Sequence, residues 1–435
     1  MQSHSLHSSA PQVSTPQSYP SIEDLGPHYR MYDAAFAQNP HAVYQRMRAG
    51  GRSLVPVLLA EDVPATLVIG YDTAKQILND DDRFPADPRT WQKTLPDRHP
   101  LRPMMEYRPN PLRTTGDVHG RYRKALNAGL AVIDLHYVRA AAERTAIPLI
   151  NSFCGDGSAD LISQYLAPFF ISVLTTDIMG CPPELVDSVL TATVAMFDTD
   201  ATVDVEAMLG SALGALMDSK RHLPADTDVT AHLVHTATDL SNEEKQHQLV
   251  TLLTAGIEVP RNHAANTILL MLTDPRYRPN QEGFAPLVTD AMVENLTTDP
   301  PMANYCITYP RARTLIDGVW LPANQPVVIS MAAANNDPKL RRDTDSDWDY
   351  GGGNGWHLGR GAGRHHCPKM AYQSSDLIVG EAIGQLYDAI PDMQLAVPRE
   401  HLTWRPGPFH RALTALPVVF APTSPLPVLW PSVRP

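Results

Sequence analysis

The stretch Gly361-Ala362-Gly363-Arg364-His365-His366-Cys367 places two glycines, a histidine and a cysteine at alternating positions, just ahead of an amphipathic helix predicted to begin near Met370. Glycines let a backbone lie close against a flat ligand, while loop amides and a helix N-terminus favour an anionic sulfur. A thiolate in that setting is suited to be the axial ligand of a haem iron, where it pushes electron density onto the metal and favours O–O cleavage. From these residues alone two plainer readings stay open. Cys367 also suits a small buried hydrophobe, and His357, His365, His366 and Cys367 a metal cluster, although no second pair at zinc spacing occurs.

Composition narrows the class. The chain has 435 residues, 43% of them apolar, enough for a sizeable core. Its four cysteines, Cys154, Cys181, Cys306 and Cys367, lie scattered without framework spacing, which points to a reducing compartment. A net charge of −12 and the absence of a basic, aromatic-laced stripe argue against nucleic acid as a partner. Neither a signal peptide nor an apolar run of membrane-spanning length is present, so no membrane association and a soluble, cytoplasmic chain are expected.

Residues 1–22 read as a disordered leader, 23–425 as one domain and 426–435 as a proline-rich tail. A helix is predicted over Pro40–Ala49, then a strand pair, Leu54–Leu59 and Ala65–Ile69. Residues 82–116 read as a long irregular loop. Helices dominate from Gly120 to Leu296, with breaks near Gly155, Pro182, Asp198, Pro224 and Asp239. Ile316–Leu321 and Pro326–Ile329 are predicted to form a hairpin around Pro322-Ala323-Asn324, and Val418-Val419-Phe420 a late strand.

Three further segments carry chemistry. His119-Gly120-Arg121-Tyr122-Arg123 sets a histidine and an arginine on one helix face, where both can meet one pair of carboxylates. Ser241-Asn242-Glu243-Glu244 is a capping box that opens a helix apolar around much of its circumference, hence buried. Inside that helix lies Ala255-Gly256-Ile257-Glu258-Val259-Pro260, followed by Arg261 and His263. Pro260 lacks an N–H and is expected to kink the helix. His263, one turn beyond Val259, is expected to face a cavity, with a satisfied core histidine as the plainer reading. Glu258, Arg261 and His263 together would suit a polar or charged substrate.

The cysteine loop resembles the haem-binding signature of cytochrome P450, with Gly361, Gly363, His365 and Cys367 in register and Arg360 and Lys369 at the two departures. The His119 segment resembles the start of that superfamily's C helix, and Ala255–Pro260 its distal oxygen-binding segment, with Val259 where a threonine usually stands. Thr297 replaces the arginine of the Glu-x-x-Arg brace begun by Glu294, and Thr308 falls where an arginine usually grips a haem propionate, with Arg311 or Arg313 as possible substitutes. The runs Asp299–Tyr305, Ala332–Pro338 and Trp404–Arg411 resemble an actinobacterial subfamily that lacks the brace. The resemblance covers Tyr29 to Phe420.

It implies a mainly α, triangular fold with small β-sheets, and haem b held between the central helix and the cysteine loop. Cys367 would be the iron ligand, and His119, Arg123, His365, Gly256, Gly361 and Gly363 would contact the cofactor. Glu258, Val259, Pro260 and His263 would shape the reaction and Arg261 with His263 the substrate. A ferredoxin-type donor would dock near Arg360, Arg364 and Lys369. The altered relay at Val259 points to oxidative C–C, C–N or C–O cross-linking of aromatic side chains in a short peptide. The alternatives are hydroxylation or epoxidation of a small secondary metabolite, and a haem protein that acts only as sensor or interaction partner.

Overall fold

The computed structural model describes residues 19–197, 204–277, 284–340 and 356–428. Residues 1–18 of the expected leader, the break expected at 198–202 and residues 429–435 of the tail lie outside them. Packing begins within the stretch read as a leader: Ser21 bridges to Trp320 and Ile22 is buried. At the other end, Leu426 is tied to Asn151 by hydrogen bonds of 2.7 and 3.0 Å.

Helices make up about half of the described residues and strands far fewer, in line with the expected mainly α architecture. At its centre runs the helix Asn242–Thr273, buried along nearly its whole length. The expected capping box is present: Ser241 Oγ accepts from Glu244 N at 3.1 Å, and Glu244 Oε2 from Ser241 N at 2.8 Å. Glu244 also accepts from Arg121 and from Tyr122 Oη, at 2.5 and 2.7 Å, which fastens the helix Gly116–Leu130 to the central one. The helix continues through Pro260 without a break, so the proline does not divide it. Around it pack Ala167–Ser172, Val205–Ser219, Phe284–Thr298 and the late helix Lys369–Ala389, and Leu135–Asn151 packs in turn against that late helix.

The strands are β1 (Tyr29–Arg30), β2 (Leu54–Ala60), β3 (Val63–Val68), β4 (Ser158–Asp160), β5 (Asn304–Thr308), β6 (Thr314–Ile316), β7 (Val319–Leu321), β8 (Val327–Ser330), β9 (Gln394–Leu395) and β10 (Pro417–Val419). A five-stranded sheet has the order β1-β2-β3-β8-β5, and β2 and β3, expected as a strand pair, pair antiparallel. The hairpin expected around Pro322-Ala323-Asn324 is not the one observed. β6 and β7 turn at Asp317-Gly318, both at positive φ (47° and 70°), and β8 leaves to pair with β3 and β5. An Asp-Gly pair with both residues left-handed is what a tight hairpin of right-twisted strands needs, and Pro322 cannot supply it.

A buried ion pair locks the segments around β5 together. Asp299 accepts from Arg411 Nε at 2.9 Å and contacts His41 Nε2 at 3.2 Å, while Arg411 also donates to Ala37 O. Burial opposes ionisation of Asp299, but Arg411 and His41 outweigh it and hold the carboxyl at about 2. Because this folded-state pKa is depressed, the stabilisation is present above the ordinary aspartate value and is lost as pH falls towards 2. Asp299→Asn, which leaves Arg411 without its counter-charge, is expected to lower unfolding stability by roughly 2–4 kcal/mol at pH 7. Denaturant melts of both chains at pH 7 and pH 3 check this, with the gap between them narrowing at the lower pH.

Candidate functional site

Cys367 sits two residues before the helix Lys369–Ala389, and its amide donates to Arg360 O at 2.9 Å. The loop needs its glycines for two reasons. Gly361 and Gly363 have φ of 71° and 66°, and a Cβ at Gly363 would lie 1.9 Å from Leu78 O. Glycine here therefore lets the loop close onto the helix Tyr71–Leu78. The thiol does not become an anion unaided: burial raises its pKa to about 11, against the pull of Arg360 and Arg123. The expectation that the loop itself supports a thiolate is thus outweighed by desolvation, and a bound metal cation is what deprotonates such a group.

Cys367, His365 and Arg123 line one cavity of about 350 Å³ with Gly256, Val259, Pro260 and His263 of the central helix. The first of these helix residues has a packing reason: a Cβ at Gly256 would meet both Leu174 methyls at 3.0 Å. Beneath lies a cluster of donors short of acceptors. His119 and His365 rings are 4.4 Å apart at 52°. His365 Nδ1 reaches Pro111 O at 3.0 Å, whereas its Nε2 and both nitrogens of His119 are buried without a partner. Arg123 donates to His366 O. Burial foremost, with the neighbouring His365, Arg123 and Arg364 adding to it, depresses His119 to about 3. Unpaired buried polar groups are costly, and a flat cofactor carrying two carboxylates fits this cluster.

Two other expectations fail on geometry. Glu258 is buried but does not line the cavity. It accepts from Arg261 at 2.6 Å, from Asn262 at 3.0 Å and from Arg405. Burial opposes its ionisation, yet Arg261, Arg405 and His410 bring it to about 2, so at neutral pH it holds no proton to relay. Arg261 is committed to Glu258 and is likewise absent from the cavity wall. The cause is Arg405, which arrives from 147 residues along the chain and which no local pattern announces. His263 does face the cavity, but its Nε2 meets Met292 O at 3.0 Å, and burial lowers it to about 4, leaving it neutral. His410, not singled out by the sequence reading, also lines the cavity.

The missing brace is rebuilt from another place. Thr297 is buried, and Glu294 is held instead by Arg276 at 2.7 Å and by Tyr277 Oη. Arg311 and Arg313, the expected stand-ins for Thr308, do neither job. Arg311 donates to Asp82 O, and Arg313 stacks over Trp320 at 4.8 Å.

No family model matches the chain. Among curated proteins it is 28% identical over 403 residues to a vitamin D(3) 25-hydroxylase of Pseudonocardia autotrophica, covering 91% of this chain and 97% of that one. It is 27% identical over 417 residues to the cytochrome P450 monooxygenase PikC of Streptomyces venezuelae, covering 92% and 94%. Among solved structures, the tirandamycin C-bound P450 monooxygenase TamI superposes with a TM-score of 0.76 at 25% identity over 90% of this chain and all of that one. A myxobacterial cytochrome P450 in complex with myristic acid gives 0.75 at 26% identity over 90% and 98%. Fold and relatives define an oxygenase that works on a haem b cofactor. The chain belongs to the cytochrome P450 superfamily, among actinobacterial homologues.

Glu258→Gln is expected to lower folding stability by about 3 kcal/mol, since it strands two arginines around a buried site. The spectrally measured substrate Kd is expected to stay within about twofold, because the side chain does not reach the cavity.

Proposed function

We propose that this enzyme hydroxylates or epoxidises a small, largely apolar secondary metabolite, using electrons from a ferredoxin-type donor. One observation carries the reading: much of the cavity wall is formed by apolar side chains such as Leu126, Leu130, Ile133, Leu174, Ile178 and Val250, while Glu258 and Arg261 neutralise each other outside it. An apolar wall selects substrate by burial of hydrocarbon, with a few polar groups for orientation. Relatives that include a mycinamicin IV hydroxylase/epoxidase and a 2-hydroxy-5-methyl-1-naphthoate 7-hydroxylase support the same class.

In this reading Cys367 binds the iron, and His119, His365 and Arg123 hold the propionates of the haem. Haem ligated by a thiolate supplies dioxygen activation. The protein's own part is to exclude water with the apolar wall and to keep the substrate over the cofactor. His263 and His410, both neutral, are among the cavity-lining groups that can exchange a hydrogen bond with a substrate hydroxyl or carbonyl. The donor would dock on the face around Cys367. There Arg360 is paired with Asp376 and stacked over Tyr372, and Arg364 is paired with Asp81 at 2.9 Å. Exposed Lys369 and Lys124 have no carboxylate within 4.0 Å among the described residues, and so contribute the free positive charge.

Oxidative coupling of aromatic side chains is the second reading, favoured by Val259. With no hydroxyl there and Glu258 held ionised, the usual acid and alcohol pair is absent. A reaction that abstracts hydrogen and inserts no oxygen depends less on that pair. Incubation with a ferredoxin system and candidate substrates separates the two by mass. A product one oxygen heavier is expected, whereas one two hydrogens lighter would favour coupling.

A further inference from the structure

Arg113 lies in the loop before the helix Gly116–Leu130, is buried at 7% exposure and lines the cavity. Its guanidinium donates to Met104 O, to Leu112 O and to Tyr305 Oη, and sits over the Tyr305 ring at 5.4 Å. Every one of these partners is neutral. No carboxylate oxygen lies within 4.0 Å of Arg113 among the described residues. Glu106, a nearby acid, is taken up by Arg102 and Arg108. Arg113 is therefore a cavity-facing cation with no carboxylate in contact, Glu106 acting on it only from beyond 4.0 Å, a costly arrangement for a group that cannot be deprotonated.

Its position says which anion completes it. Tyr305, the residue it grips, stands on β5 three residues before Thr308, whose own Oγ1 is buried and unpartnered. Pro111, two residues before Arg113, is the acceptor for His365 Nδ1, so the same loop touches the cluster of His119, His365 and Arg123. Arg113 thus reaches the β5 side of that cluster from a different part of the chain, 192 residues away from Tyr305.

We propose that Arg113 binds a propionate of the haem and takes the place in which a β5 arginine at Thr308 would otherwise stand. The inference rests on haem occupying this cavity. Planar, multi-donor geometry makes an arginine suited to a carboxylate. A carboxylate on a substrate would have the same chemistry, and the test separates the two sources.

The test is haem loss from the purified holoenzyme to excess apomyoglobin, together with thermal unfolding of the haem-free chain. Arg113→Gln is expected to speed haem loss about tenfold or more, the worth of one charge-assisted hydrogen bond, with the haem-free unfolding temperature unchanged. Arg113→Gln combined with Thr308→Arg is expected to return the rate to near that of the unaltered protein. Haem loss at the unaltered rate in Arg113→Gln overturns the proposal, and weaker binding of carboxylate-bearing substrates alone would assign Arg113 to substrate. Fast loss that Thr308→Arg does not repair, or that comes with an equally destabilised haem-free chain, also overturns it. If Arg113→Gln does not fold, Arg113→Lys is read in the same way. An unaltered protein that takes up no haem contradicts the cofactor reading itself.

Discussion

Burying hydrogen-bond donors and positive charge around a cavity, with too few acceptors to meet them, is the constraint on which this structure turns. His119 has no partner for either ring nitrogen, His365 lacks one for Nε2, and Arg123 and Arg113 find only neutral oxygens. Left so, these groups cost stability, and the thiol of Cys367 stays protonated beside them. A dianionic, iron-bearing cofactor answers both problems at once. The polypeptide is in that sense a partial structure whose electrostatics close only when haem b is bound.

Charge that the resemblance leads one to expect within one motif is supplied in this chain from elsewhere. Glu294, without an arginine at position 297, is held by Arg276 of the preceding turn. Glu258, without a hydroxyl beside it at Val259, is tied to Arg261 and to Arg405 of the late loop. Such exchanges preserve neutrality in a low-dielectric interior while moving the partner to a new segment. They also alter the central helix's side of the cavity, where Glu258 is ionised and engaged elsewhere and side chains such as Val259, Pro260 and the neutral His263 line the wall.

Local features were legible in the sequence because their causes are local. The capping box at Ser241 and Glu244, the two left-handed glycines before Cys367 and the β2–β3 pair were each readable from a few adjacent residues. Asp317-Gly318 announces the β6–β7 turn, whereas Pro322-Ala323-Asn324 signals a hairpin that the chain does not form. The expected convergence of Glu258, Arg261 and His263 on the cavity fails in part for another reason. Arg261 and His263 do follow Glu258 on the helix, but Arg405, which joins Arg261 on Glu258, and Met292 O, which meets His263, come from distant segments that no periodicity connects. Helical spacing fixes which residues share a face, and tertiary packing decides whether that face meets a ligand or another side chain.

The ferrous–CO difference spectrum of the purified, haem-loaded protein and of its Cys367→Ala variant tests the central claim most directly. A thiolate-type Soret band in the unaltered protein that disappears in the variant is the predicted result. A folded, haem-loaded protein that lacks this band, or a variant that retains it, would contradict the account.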